Sequence, residues 1–306
     1  MRSAFIESLT ALAERDASVM LLTGDLGFTV FEPFRDRFQG RFINMGVAEQ
    51  NMISVAAGLA LCGRRVFVYS IIPFVTLRCA EFIRNDLCFH RANVCIVGVG
   101  SGYAYGHMGS THHALEDIAI LRSLPDMTVV CPGDPVETRA AMQAIATLEG
   151  PCYLRLGKNG EHAVHDKPVA LTLGRTLTLR EGSDATLIAT GTMLETAVAA
   201  ADLLKKNGVS ARVLSMHTVK PLDLVAVRRA AAETALIVTI EEHRIAGGLG
   251  SAVAEVLAEN DARPKQLFCS APDTVSHQCA SAEMLRTRAG LTAPLITERV
   301  LSALGR

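Results

Sequence analysis

The chain has 306 residues, 49% hydrophobic and 20% charged, with a formal net charge of -1. That is enough apolar material for a sizeable core divided over two domains, and the balanced charge, with no basic run interleaved with aromatics, argues against a nucleic-acid or anionic-membrane partner. Residues 1–8 lack a long apolar segment, no stretch reaches the roughly 18 apolar residues of a membrane span, and the eight cysteines include no CxxC pair, so a cytoplasmic protein without a disulfide framework is expected.

Short β-branched runs alternate with helical periods, the pattern of a parallel sheet covered by helices. In the first half, strands are predicted at 19–23, 64–69, 94–99, 127–131 and 153–156, with helices at 3–14, 47–62, 76–87, 114–122 and 135–147. The pattern falters through Gly157-Lys158-Asn159-Gly160 and a polar stretch ending at Lys167, which reads as a linker. A second, smaller unit follows, with strands at 185–190, 211–215, 236–240 and 265–269 and helices at 193–207, after Pro221 and at 249–259. The fold class expected is therefore two α/β domains containing parallel sheets, 1–165 and 166–306.

In such sheets ligands bind beyond the carboxyl ends of the strands, so the loops there carry the functional signal. The longest runs from Gly100 to His113 and holds three histidines and four glycines in all, suited to backbone that approaches a ligand while imidazoles reach into it. A metal site built from His107, His112, His113 and Glu116 is disfavoured, because adjacent histidines rarely converge on one ion and no HExxH or cysteine partner is present. Gly98, Gly100 and Gly102 follow a strand, but the third glycine of GxGxxG would fall on Tyr103, and there is no P-loop. Gly247-Gly248-Leu249-Gly250 reads as the tightly packed start of a helix rather than a phosphate cradle. Glu49 stands in the first turn of an otherwise apolar helix with Met52, Val55, Ala56, Leu59 and Ala60. There the helix dipole favours an anion, and by itself that placement needs no chemistry.

Five segments in order change that reading. Residues 46–52, Phe74, the span 109–117 with 122–127, residues 218–223, and Glu241-Glu242-His243 with Gly248-Leu249-Gly250 resemble the carboxyl-terminal half of transketolase. The likeness covers nearly the whole chain and is closest to split transketolases, in which one polypeptide carries the pyrimidine-binding and carboxyl-terminal domains and another the diphosphate-binding domain.

The resemblance implies a thiamine diphosphate enzyme in which Glu49 hydrogen-bonds the cofactor's pyrimidine nitrogen and takes part in activating it. It further implies that Phe74 stacks on that ring, with Ile71 and Leu77 lining the pocket where relatives often place aromatics. His112 falls on the histidine that contacts the substrate's first hydroxyl or carbonyl. His107 is a less specific match in the same loop, and Arg2, Thr29 and Lys158 fall near positions that help hold a sugar phosphate. Two departures bear on substrate: Met108 stands where the family has an aspartate that reads sugar hydroxyls, and Gly100 where it has a phosphate-contacting histidine, with Tyr103 and Tyr105 added nearby. Loss of a charged acceptor removes a hydrogen bond of about 1.5–3 kcal/mol, so a less hydroxylated or otherwise modified ketose is expected.

The family's GDG motif is absent: Gly24-Asp25 and Gly133-Asp134 both lack the third glycine. The resemblance therefore implies a partner, the transketolase amino-terminal-half subunit, which supplies GDG and holds Mg2+ or Ca2+ in an α2β2 heterotetramer. The alternatives are a beta subunit of a 2-oxo acid dehydrogenase and a non-catalytic scaffold subunit.

Overall fold

The structure is a computed structural model that describes residues 1–306. Its strands are β1 Val19–Thr23, β2 Phe42–Asn44, β3 Arg65–Ile71, β4 Val94–Val99, β5 Thr128–Val130, β6 Cys152–Leu156, β7 Leu177–Arg180, β8 Ala185–Ala189, β9 Ala211–Ser215, β10 Thr218–Lys220, β11 Leu236–Arg244 and β12 Lys265–Ala271. They form a seven-stranded sheet, ordered β10-β5-β6-β4-β3-β1-β2, and a five-stranded sheet, ordered β12-β11-β8-β9-β7. Each is parallel apart from one edge pair, β10 with β5 and β7 with β9. The chain is thus two α/β units with mixed, mostly parallel sheets.

The central strands β1, β4, β6, β8 and β9 are buried along their whole length, as expected where helices cover both faces. On one face of the first sheet, Met52, Ile53, Ala56 and Ala57 of the helix Glu49–Leu61 pack on Val66 and Val68 of β3. On the other, Phe5 and Leu9 of the helix Arg2–Arg15 pack on Phe67 and Tyr69. Strand alternation therefore puts Ser70 on the same face as the Glu49 helix and Ile71 on the opposite one. Because β1, β3, β4 and β6 run parallel, the loops after Thr23, Ile71, Val99 and Leu156 open at one edge.

Several elements differ from the sequence expectation. Residues 76–87 do not form one helix: a short α-turn at Ala80–Phe82 passes into a π-helix at Ile83–Cys88, which sets Asp86 to accept from Ser54 Oγ at 2.6 Å. The helix expected at 114–122 begins at Asp117, because Ala114 instead makes a bridge with Gly102. The short strands β2, β7 and β10 and the helices Ala282–Arg288 and Ala293–Ala303 have no counterpart in the sequence expectation. β10 has the largest consequence. It lies in the sequence of the second unit but pairs with β5 of the first, so the chain crosses between sheets there.

A buried ion pair makes a second tie. Arg155 of β6 is 2% exposed and Asp117 0%. Arg155 Nε donates to Asp117 Oδ2 at 2.7 Å, and its Nη2 donates to Asp117 Oδ1 (3.2 Å), to Ala114 O (2.8 Å) and to Glu242 O on β11 (3.1 Å). Tyr153 OH donates to the same carboxylate at 2.6 Å. Burial pushes the Asp117 carboxyl up, but the Arg155 charge and the Arg155 and Tyr153 hydrogen bonds outweigh it and leave it below the usual carboxylate range. Removing one charge would strand the other in a dry interior, so Asp117→Asn should cost about 3–5 kcal/mol in urea unfolding. A loss below about 1 kcal/mol would show that the pair does not hold the two sheets together.

Candidate active site

The approach to Glu49 is shaped by Asn44, whose Oδ1 accepts from Asp25 N (3.1 Å) and Gly46 N (3.0 Å) while its Nδ2 donates to Asp25 Oδ1 (2.9 Å). Gly46 takes φ 68°, a left-handed conformation that suits glycine, and the helix then begins at Glu49. Glu49 is 2% exposed. Its Oε1 accepts from Ser70 Oγ at 3.2 Å and its Oε2 from Arg78 Nη1 at 2.6 Å. Gly24, at the end of β1, is pressed against them: a Cβ there would lie 3.3 Å from Ser70 Oγ and 3.5 Å from Glu49 Cγ. The carboxylate is therefore buried in polar company as well as beside Met52. Arg78 is the residue the sequence did not reveal.

Arg78 also lies over the ring of Phe74, its Cζ 4.8 Å from the centroid, and the His112 imidazole meets that ring edge-on at 5.1 Å. Residues 49, 74, 78 and 112 thus share one surface. His112 ends a 3-10 turn, Ser110–His112, which starts from Gly109 at φ 82°. Its Nδ1 shares a hydrogen with Thr111 Oγ1 at 3.0 Å, which leaves Nε2 for another partner. Burial pushes the His112 imidazole below its ordinary value, so it is neutral at physiological pH and can polarise or relay a proton. The Tyr105 ring follows at 6.2 Å from His112, with Lys158 Nζ 4.6 Å from its centroid.

The other expected residues are more scattered. Arg2 is half-buried, and its charge acts on the phenols of Tyr69 and Tyr105. Thr29 lies on an exposed turn at φ 66°, its N–H bonded to Glu32. His107 and Met108 are exposed on the histidine loop, and Leu77 is exposed beside Arg78. Ile71 packs with the cluster around Phe5, on the sheet face opposite Ser70. His113 turns from His112 to meet Tyr103 at 5.2 Å, and Glu116 pairs with Arg244 at 2.8 Å, so these side chains diverge instead of converging on an ion.

The segment Glu241-Glu242-His243 works as a clamp. Glu241 accepts from Leu249 N and Gly250 N at 2.7 and 2.8 Å, filling the helix start that a phosphate would need. Glu242 takes Arg286 in a fork at 2.7 and 2.8 Å and the N–H of Tyr103 at 3.1 Å. His243 Nε2 accepts from Ala119 N while its Nδ1 donates to Arg244 O.

Two families match the chain: the transketolase pyrimidine binding domain over residues 1–160 and the transketolase C-terminal domain over residues 174–296. The chain belongs to the transketolase family. It is similar to a subunit of the apulose-4-phosphate transketolase of Phocaeicola vulgatus, 39% identical over 85% of this chain and 84% of that protein. It is also similar to a 6-deoxy-6-sulfo-D-fructose transketolase subunit of a Clostridium species, 39% identical over 85% and 81%. A solved structure described as a split gene transketolase, inactive beta4 tetramer, superposes with TM-score 0.92 at 37% identity, over 99% of this chain and 98% of that one. By these likenesses it is a subunit of the split transketolase type and a component of a transferase.

Transketolases depend on thiamine diphosphate, and the residues here fit its ring. The Arg78 guanidinium, a flat cationic donor, already lies on Phe74 while bonded to Glu49, which are the two contacts an aminopyrimidine needs. Nothing comparable fits a diphosphate. Asp25 is turned to Asn44, and Asp134 caps the helix Pro135–Ile145 through Glu137 N (2.7 Å) and accepts from Val164 N (2.8 Å) and His165 N (3.0 Å). An NMR titration of His112 should place its midpoint below about 6.5. A midpoint above the pH at which the enzyme works would make it a cation there and exclude the neutral role.

Proposed function

We propose that this chain is the pyrimidine-binding half of a heteromeric transketolase that moves a two-carbon ketol unit from a phosphorylated or otherwise modified ketose to an aldehyde. The observation that carries the proposal is the cluster of Glu49, Phe74 and His112 at one sheet edge, in a chain whose two Gly-Asp dipeptides are both committed to structural hydrogen bonds. The pyrimidine-binding unit is taken to end near residue 165, inside the interval between the two matched families.

When bound, thiamine diphosphate supplies the electron sink that stabilises the charge left as the ketose C–C bond breaks. The Glu49 carboxyl would share a proton with the ring nitrogen, oriented by the hydrogen bond it accepts from Ser70 Oγ. Phe74 would present its face to the ring. His112, neutral and tethered through Nδ1, would offer Nε2 to the substrate's carbonyl or first hydroxyl. Lys158 and Arg2 would attract an anionic end of the sugar. Thr29, Met108 and His107 would face the substrate from the rim and Leu77 would back the cofactor pocket, whereas Ile71, expected there too, packs on the opposite sheet face. Met108 and Gly100 in place of polar groups favour a ketose with fewer hydroxyls or a modified end, in keeping with the sugars in the names of the two relatives.

The partner would be the amino-terminal-half subunit with the GDG motif and the Mg2+ or Ca2+ ligands, in an α2β2 assembly serving carbohydrate metabolism in the cytoplasm. The inactive beta4 form described for the structural neighbour supports the need for that partner. No helix is long and apolar enough to cross a membrane. No contact favours a 2-oxo acid dehydrogenase or a scaffold over this reading.

Mixed with cofactor and magnesium alone, the chain should show no ketol transfer, and activity should appear with the partner. Glu49→Gln should then lower kcat by about a thousandfold or more while the far-ultraviolet spectrum and melting temperature stay near wild type. Turnover without a partner, or an active Glu49→Gln complex, would contradict the proposal.

A further inference from the structure

We propose that Arg78 is a displaceable stand-in for the cofactor ring: its guanidinium fills the place of the aminopyrimidine in the free chain and withdraws to the rim when that ring arrives. The inference rests on the transketolase reading and adds the residue of this chain that controls entry to the pyrimidine site.

The two contacts expected of the ring are the face of Phe74 and an oxygen of Glu49, and one guanidinium takes both. Arg78 Cζ lies 4.8 Å from the Phe74 centroid while its Nη1 donates to Glu49 Oε2 at 2.6 Å. A flat cation and a flat heterocycle cannot share that space. The other carboxylate oxygen is held separately: Glu49 Oε1 accepts from Ser70 Oγ at 3.2 Å, so departure of Arg78 frees Oε2 without releasing the carboxylate. Nor need the backbone shift. Arg78 O accepts from Gln50 Nε2 at 3.3 Å and Arg78 N donates to Pro73 O at 3.4 Å, which ties residue 78 to the Glu49 helix and to the turn that carries Phe74. The movement is left to the side chain, which at 41% exposure already reaches water.

The stand-in has a physical purpose. The Glu49 side chain is 1% exposed, and an ionised carboxylate left there without a cation would be costly. Arg78 supplies that cation and at the same time covers the half-buried ring of Phe74. Both interactions are modest, an ion pair with one half-exposed partner and a cation–π contact, so a ligand that makes comparable contacts can displace them. The chain alone would then hold the ring weakly. The grip on the diphosphate, which the reading above gives to the partner, would tip the exchange.

The test is calorimetry on the full chain with thiamine, which carries the aminopyrimidine but no diphosphate. Wild type is compared with Arg78→Met, Arg78→Lys and the double variant Arg78→Met, Glu49→Gln. Arg78→Met should bind thiamine about tenfold or more tightly than wild type, because the ring no longer competes with a guanidinium. Arg78→Lys keeps a cation for Glu49 but loses the flat face laid on Phe74; it should gain about threefold, and it decides the matter if Arg78→Met does not fold. A residue that merely shaped the site would lose affinity on substitution instead of gaining it. Equal or weaker binding by Arg78→Met and Arg78→Lys, or no measurable binding to either, would overturn the stand-in. Glu49→Gln added to Arg78→Met should remove the gain. If the double variant binds thiamine as tightly as Arg78→Met, the ring does not rest on Glu49, and the pyrimidine-site reading falls instead.

Discussion

Everything at the candidate site hangs on the Arg155 guanidinium. It is held inside the protein by Asp117 and directs its remaining hydrogen bonds to two carbonyls, Ala114 at the end of the histidine loop and Glu242 on the second sheet. A buried pair of this kind is weak evidence for stability as such, since desolvation offsets most of the attraction. What it supplies is registry: the loop carrying His112 has one place to sit relative to both sheets. Glu242 extends the same constraint, receiving Arg286 from one side and the Tyr103 N–H from the other. The histidine loop is thereby fastened at both ends, and its short bridge between Gly102 and Ala114 closes it into a fixed arch over the site.

The site that this arch completes is open on one side. Glu49 is buried, yet its partner Arg78 is 41% exposed at the side chain, and the rim carries exposed apolar groups at Leu77, Met108, Val47 and Phe28. The proton exchange proposed for Glu49 would need shelter from water, and the rim as it stands supplies only part of it. The partner subunit proposed above would give the exposed apolar groups a reason to be there if it covered that rim. The division of labour proposed above fits the two Gly-Asp dipeptides. Each is committed to local work, holding the Asn44 turn or capping a helix.

The sequence made most of the fold legible because the central strands are continuous apolar runs and the long helices have clean stops, as at Gly208 after the helix Met193–Lys206. It failed where structure depends on distant partners. β10 is three residues long and exists only by pairing with β5, and nothing local marks it as a strand of the first sheet. The π-helix at Ile83–Cys88 has ordinary helical periodicity, with its irregularity visible only through the contact of Asp86 with Ser54. Within the site, Glu49, Phe74 and His112 were legible from the family resemblance, and the structure brings all three to one surface. Arg78 was hidden because an arginine in a helical segment looks like any solvated cation until its partner is known. Gly100 read as a lost polar group; the ring of Tyr105 pressed against it supplies a physical reason for the glycine.

The most direct test is a crystal structure of the reconstituted heteromer with thiamine diphosphate and magnesium. The account predicts that the aminopyrimidine lies on Phe74 with its ring nitrogen within about 3.2 Å of a Glu49 oxygen, and that every diphosphate and metal contact comes from the partner subunit. A ring bound away from Glu49, or a diphosphate held by Asp25 or Asp134, would contradict it.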